Sequence, residues 1–379
     1  MVKVLYISHS SELSGWGQAA RDYIEAISTI PNVELVCRPV VLSGGFENKS
    51  ENLRIAEGKS SKNPDVCIQH VLPHFFNANR KIGKNIGLFV TETDSISHNP
   101  WRFYLEQMDE LWVPNIEMYQ NITPFFDKKI NVVPHATDIK KFTQKHPELK
   151  INEIGGTFKF YFIGEFNRRK NLAALLEVFH TEFDPSEPVS LIIKSSIPKA
   201  PPAESKHIIE QFCNKVKQSL RLYSKHSAYI KEAIITDRLS DEQMCGLHQY
   251  GDCLVNPSFG EAWSIPAFDA MGFGNTPICI NHGGPADFID RDNLNTGTLI
   301  ESYPEIVCGV EDCLPDMFTA REQWYNADRD ELKYAMRLYF TNRVRKGDCQ
   351  DLHKMTDGLE RAKQYSYQAV GQKIKGLLI

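Results

Sequence analysis

The chain has no CxxC pair and no regular ladder of cysteine spacings, although it holds nine cysteines in 379 residues. This excludes a zinc ribbon or a disulfide framework as the organising device. Cys67, Cys253 and Cys279 sit in apolar runs, where cysteine acts as a small hydrophobe. Such usage implies a reducing, cytoplasmic compartment. No apolar run approaches the length of a membrane span. The run Met1–Ser8 is too short for a signal peptide and reads as a strand. There is no cationic excess either: the formal net charge of −5 gives no general attraction to nucleic acid or anionic lipid. No internal repeat, low-complexity segment or local nucleophile arrangement occurs. The histidines lack the spacing of a metal site on one helix face. Two Asp-x-Asp strings, Asp290-Arg291-Asp292 and Asp328-Arg329-Asp330, lie in polar, loop-like or helical context. No metal ligand is assigned to them.

What is present is an alternation. Short apolar runs at Val2–Ser8, Val33–Val41, Asp65–Gln69, Ile86–Val90, Glu110–Val113 and Ile130–Val133 are separated by helical patterns such as Gln18–Ser28 and Trp101–Met108. A polar stretch, 143–152, reads as a linker. The pattern then restarts with strands at Phe158–Ile163, Ser190–Lys194, Ala233–Thr236, Cys253–Val255 and Thr276–Ile280. Helices are expected at Asn171–Phe179, Glu204–Ser224, Asp241–His248, after Ser264, and at Tyr365–Leu378. This is an α/β chain of two Rossmann-like domains, 1–145 and 153–361, each a parallel sheet between helices. Two such domains place a ligand in the cleft between them, at the C-terminal strand ends.

The most informative stretch runs from Pro257 to Pro277. The buried strand Cys253–Val255 leads into a Gly-containing turn, then Glu261, then a helix carrying Asp269. Ser264 suits the N-cap and Pro266 the first turn. The helix N-terminus offers free N–H groups and a positive dipole end, which suit a phosphate. Glu261 and Asp269 are placed to take hydroxyl groups on either side of that phosphate. A second piece, Gly164-Glu165-Phe166-Asn167-Arg168-Arg169-Lys170, ends a strand and sets three cations before a helix. Cations there stabilise the charge that develops on a diphosphate leaving group. The string Gly15-Trp16-Gly17-Gln18-Ala19-Ala20 fits the dinucleotide form Gly-x-Gly-x-x-Ala. However, it does not follow the first strand directly, and no acid ends the second strand. Gln69–His74 and Thr91–Asp94 line further strand ends.

The Pro257–Pro277 stretch resembles the signature of retaining glycosyltransferases of family 4 (glycosyl transferases group 1), whose acid, seven residues and second acid are matched by Glu261 and Asp269. The resemblance implies the two-domain GT-B fold, with residues 362–379 forming a helix that crosses back onto the first domain. It implies retaining transfer of a sugar from a nucleoside diphosphate sugar to an acceptor hydroxyl, without a metal or other cofactor. In that reading Glu261, with Ala262, Trp263, Ser264 and Ile265 and their amides, holds the donor sugar, and Asp269 the ribose. Lys170 matches the family's diphosphate lysine. Glu165 stands where the family has arginine, and Arg168 or Arg169 supplies the charge instead, with Arg168 chosen as the catalytic partner.

Gly164 ends the strand, and Gly15 and Gly17 form a loop facing the donor phosphate. Val132–Phe142 resembles the family's hinge, with Asp138 and Phe142 in register and His135 structural. His70, His74, Glu92 and Thr93 are the acceptor-side candidates. The acceptor is left open among glycan, lipid-linked sugar, small molecule and modified nucleic acid. Two alternatives remain: an inactive nucleotide-sugar-binding scaffold, suggested by Glu165, and a sugar-nucleotide epimerase of the same fold.

Overall fold

The computed structural model describes residues 1–147, 149, 151, 154, 158–310, 318–345 and 356–379. The chain divides into two compact units. The first contains Met1–Ile139, Cys313–Gln323 and Ala362–Ile379, and the second Lys140–Asp312 and Trp324–Arg361. Parts of the 143–152 linker reading, at 148, 150 and 152, lie outside the described residues.

In the first unit the order is β1 (Val2–Ser8), α1 (Gly15–Ser28), β2 (Val33–Pro39), α2 (Glu51–Gly58), β3 (Val66–His70), β4 (Lys84–Leu88), α3 (Trp101–Leu105), β5 (Glu110–Val113), α4 (Ile116–Ile122) and β6 (Lys129–Val132). Six parallel strands form one sheet in the order β2-β1-β3-β4-β5-β6. Its core joins Val4, Tyr6, Ile68, Ile86 and Leu88 of the strands to Tyr23, Ile24 and Ile27 of α1. Each is at most 1% exposed, as parallel strands covered by helices require.

In the second unit α5 (Lys140–Thr143) precedes β7 (Phe158–Glu165), α6 (Leu172–Glu182), β8 (Val189–Ser196), α7 (Pro202–Leu220), β9 (Ala233–Ile235), α8 (Asp241–Tyr250), β10 (Cys253–Asn256), α9 (Ile265–Gly272), β11 (Ile278–Ile280), α10 (Pro285–Phe288) and β12 (Thr298–Ile300). A two-stranded ribbon, β13 (Ser302–Ile306) and β14 (Gln323–Ala327), and the helix α11 (Arg329–Arg345) follow. The main sheet has the order β12-β11-β10-β7-β8-β9. Alternation puts Phe158, Phe160 and Phe162 of β7 on one face, packed under α6 and α7.

The chain ends with α12 (Thr356–Lys363) and α13 (Tyr367–Leu378). As expected, α13 returns to the first unit. Tyr367 donates from its hydroxyl to Asp22 of α1, 2.7 Å away. A Cβ on Gly371 would lie 2.3 Å from Thr29 Oγ1, so only glycine allows this close packing.

Several boundaries differ from the sequence reading. The helix expected over Trp101–Met108 stops at Leu105. The expected Glu204–Ser224 helix is α7, closed at its C-terminal end by Arg221 in the left-handed conformation. The glycine string is no loop: α1 begins at Gly15, and the Gly17 N–H donates to the Ser14 side chain.

Candidate functional site

The strand orders locate a crevice in each unit. In the second unit the chain runs outward from β7 through β8 to β9, then crosses back to β10 on the other side of β7. Ligands of open parallel sheets sit where such a reversal splits the C-terminal strand ends. The two strands that flank this point, β7 and β10, carry the two sequence strings singled out above.

After β7 the chain makes a 3-10 turn over Arg168–Lys170, capped by Asn167, whose side chain accepts from the Lys170 N–H. Asn171 then takes φ 51° to enter α6. Its side chain donates to the carbonyl of Pro257 at 3.0 Å, tying this turn to the segment after β10. The backbone N–H of Phe259 donates to the Arg169 carbonyl at 2.8 Å, a second tie. These bonds bring Lys170 to Glu261 across 91 residues. The Lys170 Nζ lies 2.5 Å from Glu261 Oε1, and Arg169 Nη1 lies 3.4 Å from Oε2. Ser258 Oγ donates to Oε1 at 2.7 Å.

Glu261 is 7% exposed. Burial alone would raise its pKa; Lys170, Arg169 and the Ser258 hydroxyl outweigh burial and hold the carboxyl down at about 2. It is therefore an anion clamped by two cations at the crevice.

Arg168, the cation chosen from the sequence, turns away. Its guanidinium pairs with Glu305 of β13 at 2.7 Å, at the surface. Adjacent residues of a 3-10 turn point in different directions, and Arg169 is the one that reaches the acid. Glu165 is exposed and accepts from Asn167. Gly164 packs against the Lys170 stem; a Cβ there would stand 3.3 Å from Lys170 Cδ.

Ser264 stands at the N-cap position of α9, its carbonyl accepting from the Phe268 N–H, but its side chain does not cap the helix. Its backbone is left-handed at φ 66°, and its side chain makes no cap bond. Its hydroxyl instead accepts from Asn256 Nδ2 at 2.7 Å, so Asn256 at the end of β10 fixes the turn. The N–H groups of Ser264, Ile265 and Ala267 have no acceptor among the described residues, as the first turn of a helix dictates. Trp263 faces inward, its ring 5.4 Å from that of Phe288. Ala262 is buried as well. Their contribution at the crevice is backbone.

Asp269, on α9, is also buried, at 9% exposed. Its Oδ1 lies 2.7 Å from Lys141 Nζ of α5. Burial raises its pKa, and Lys141 partly opposes the rise.

The sequence reading missed Lys141, Asn256, Ser258 and the pair Gly283-Gly284. A Cβ on Gly283, at φ 66°, would lie 2.0 Å from the Glu261 carbonyl, and the Gly284 N–H donates to that same carbonyl at 3.0 Å. A Gly-Gly dipeptide separated from the end of β11 by two residues was the available signal. Gly283→Ala is expected to destabilise the protein by at least about 2 kcal/mol, because it combines φ strain with a backbone clash. A urea midpoint equal to that of the unsubstituted protein would contradict this packing.

In the first unit the reversal falls between β1 and β3. An aromatic group stands there. His70 is buried, its Nδ1 2.7 Å from the Tyr6 hydroxyl, with Trp16 5.7 Å away. Burial, then His135 and His9, hold His70 neutral, well below the usual histidine range. His74, on the 3-10 turn Pro73–Phe75, has its ring 4.3 Å from that of Phe75, tilted by 44°. Burial and His9 lower its pKa. Gly15 has open space around its Cβ direction, whereas a Cβ on Gly17 would strike the Glu12 carbonyl at 2.0 Å. Gly17 is thus needed for packing. Thr93 spends its hydroxyl on the local Ser95 carbonyl, and Glu92 beside it is half-buried.

Among the described residues no group of three or more His, Cys, Asp or Glu side chains is arranged to hold a metal ion. Asp290 caps its own loop by accepting from the Asp292 N–H, and Asp328 accepts from Tyr303 and the Glu331 N–H. No helix of the described residues is long and apolar enough to cross a membrane.

The fold has many solved counterparts. Sucrose-phosphate synthase from Thermosynechococcus elongatus superposes with a TM-score of 0.62 at 14% identity, over 100% of this chain and 98% of that one. Anabaena HepE, solved in complex with UDP and glucose, gives 0.62 at 11% identity over 100% and 99%. A glycosyltransferase from Rickettsia africae gives 0.64 at 11% over 100% and 97%. At these identities the likeness is one of fold: two Rossmann-like α/β domains of the GT-B kind. No curated protein matches the sequence. Residues 144–331, which hold the whole crevice between β7 and β10, match the family model described as glycosyl transferases group 1.

Proposed function

We propose that the chain is a retaining glycosyltransferase of this group, moving a sugar from a nucleoside diphosphate sugar to an acceptor hydroxyl without a bound metal. The observation that carries this reading is Glu261, buried and ionised between Lys170 and Arg169 at the point where the sheet reverses. A carboxylate held as an anion accepts hydrogen bonds from sugar hydroxyls. An ammonium has three donors, so Lys170 can serve Glu261 and a phosphate oxygen together. The open N–H groups at the start of α9 add to the same charge.

In the reaction the bond from the anomeric carbon to the diphosphate oxygen breaks. The acceptor oxygen bonds to that carbon on the same face, and the acceptor proton passes to the leaving phosphate. Asp269 takes the ribose. Arg169 supplies a second cation beside Glu261 from a different chain position than the family arginine that Glu165 replaces, which argues against an inactive scaffold.

Incubation with a panel of nucleotide sugars and simple acceptors, with and without EDTA, tests the reading. Transfer or slow donor hydrolysis that survives EDTA is expected, and proton NMR of the first product should show the donor's anomeric configuration. Turnover lost on chelation and restored by manganese would remove metal independence. An inverted product would remove retention, and binding without any turnover would favour the scaffold.

A further inference from the structure

One cation at the ligand end of the second sheet has no place in the scheme above. Lys194 lies near the C-terminal end of β8, paired in register with Ile163 of β7 on one side and Ile235 of β9 on the other. It is 8% exposed. Among the described residues its ammonium has no hydrogen-bond acceptor and no ion-pair partner within 4 Å. Yet it is not one of the fully enclosed polar atoms. The stem is buried, and the charged end keeps an opening. Burial lowers its pKa, and Asp237, two residues past β9, opposes that shift. Asp237 itself is exposed.

A buried ammonium without an acceptor is costly. A bound ligand that offers one relieves the cost. The position says which part of the ligand. Strands lie about 4.8 Å apart. From β10, beside the clamp on Glu261, to β8 is two spacings, or roughly 10 Å. That is a distance over which a nucleoside diphosphate extends from its sugar end towards its base. The charge beside Lys194 narrows the choice. Asp237 repels a phosphate, but a donor and an acceptor together match a neutral base edge in which a keto oxygen adjoins a ring N–H.

We propose that Lys194 is a specificity residue for the nucleobase, donating to the exocyclic keto oxygen of a uracil or guanine ring while Asp237 accepts from the adjoining ring N–H. Lys194, the deeper of the two, meets the exocyclic group. That group is the oxygen on C4 of uracil or C6 of guanine; at the same positions cytosine and adenine carry an amine, which cannot accept, and their adjoining ring nitrogen has no hydrogen to give Asp237. The proposal rests on the nucleotide-sugar reading and extends it to the base.

Titration calorimetry with UDP, CDP, GDP and ADP tests it on the whole chain. The unsubstituted protein should prefer the keto member of each size-matched pair, UDP over CDP and GDP over ADP, by on the order of tenfold. Lys194→Met keeps the apolar stem. It should cost the keto nucleotides about that factor and leave the amino ones within about twofold, and Lys194→Arg should recover part of the preference. Equal weakening of all four in Lys194→Met would mean that Lys194 serves a phosphate, and overturns the base assignment. Unchanged affinities would mean that it serves no ligand. If the unsubstituted protein bound none of the four, the nucleotide-sugar reading would fall and this proposal with it. A thermal midpoint for each variant separates misfolding from lost recognition.

Discussion

Lys170→Ala is expected to lower kcat/KM by about 10²–10³, the range seen when one preorganised donor is removed from a developing anion. The same change should destabilise the protein, because it strands part of a buried charge. Breaking a buried pair by removing one partner costs roughly 3–5 kcal/mol. Arg169 and Ser258 remain on Glu261, so the loss should fall towards the lower end. The pH dependence of that loss identifies its source. Glu261 has a depressed pKa, about 2 in the fold against 4.5 as the reference value. Its contribution is therefore present above about pH 4.5 and is lost as pH falls through the folded value. Unfolding free energies of the two proteins should differ most near neutrality and converge towards pH 2–3. A difference that stays constant down to pH 3 would assign the loss to packing of the lysine stem. An unchanged kcat/KM would remove Lys170 from the reaction.

The elements of this site were legible wherever the signal is local. Gly164 ending a strand, the acids Glu261 and Asp269 eight residues apart, and Pro266 in a first turn are all set by neighbours in sequence. So is the alternation of Phe158, Phe160 and Phe162. What was not legible depends on partners far along the chain. Whether Arg168 or Arg169 meets Glu261 follows from the sense of one 3-10 turn, which is fixed by Asn171 bonding to Pro257 86 residues away. Ser264 reads as a cap from its residue type. Asn256 draws its hydroxyl away, and the backbone turns left-handed. The β13–β14 ribbon, which gives Arg168 its partner Glu305, shows no alternation: β13 has no buried residue, and β14 buries Trp324 and Ala327, three positions apart. Lys141 carries no local mark at all, since its partner is 128 positions on.

That last pair yields an expectation that the sequence could not have supplied. In the proposed reaction Asp269 accepts from ribose hydroxyls, which requires the ionised carboxylate. Burial raises its pKa, so its contribution to stability is present at low pH and is lost as pH rises through the folded value. The anion needed for binding therefore works against the fold, and Lys141 at 2.7 Å is what sustains it. Two titratable side chains near this pair are held neutral by burial. Tyr161 is raised well above its usual range by burial, and His248 is lowered to about 3 by burial and by Lys141. Neither can replace the lysine.

Asp269→Asn should weaken nucleoside diphosphate binding by on the order of tenfold at every pH, as loss of a charged acceptor does. Lys141→Met should bind more nearly normally the higher the pH and approach the Asp269→Asn value as pH is lowered, because its carboxyl takes up a proton. The unsubstituted protein should change less over the same fall in pH, and Lys141→Arg should follow it. In the double variant Lys141→Met with Asp269→Asn, the lysine change should add nothing, since it acts only through the acid. Calorimetric titration at three pH values decides the matter. A flat profile for Lys141→Met would show that Lys141 merely anchors α5. Additive losses in the double variant would show that it touches the nucleotide itself.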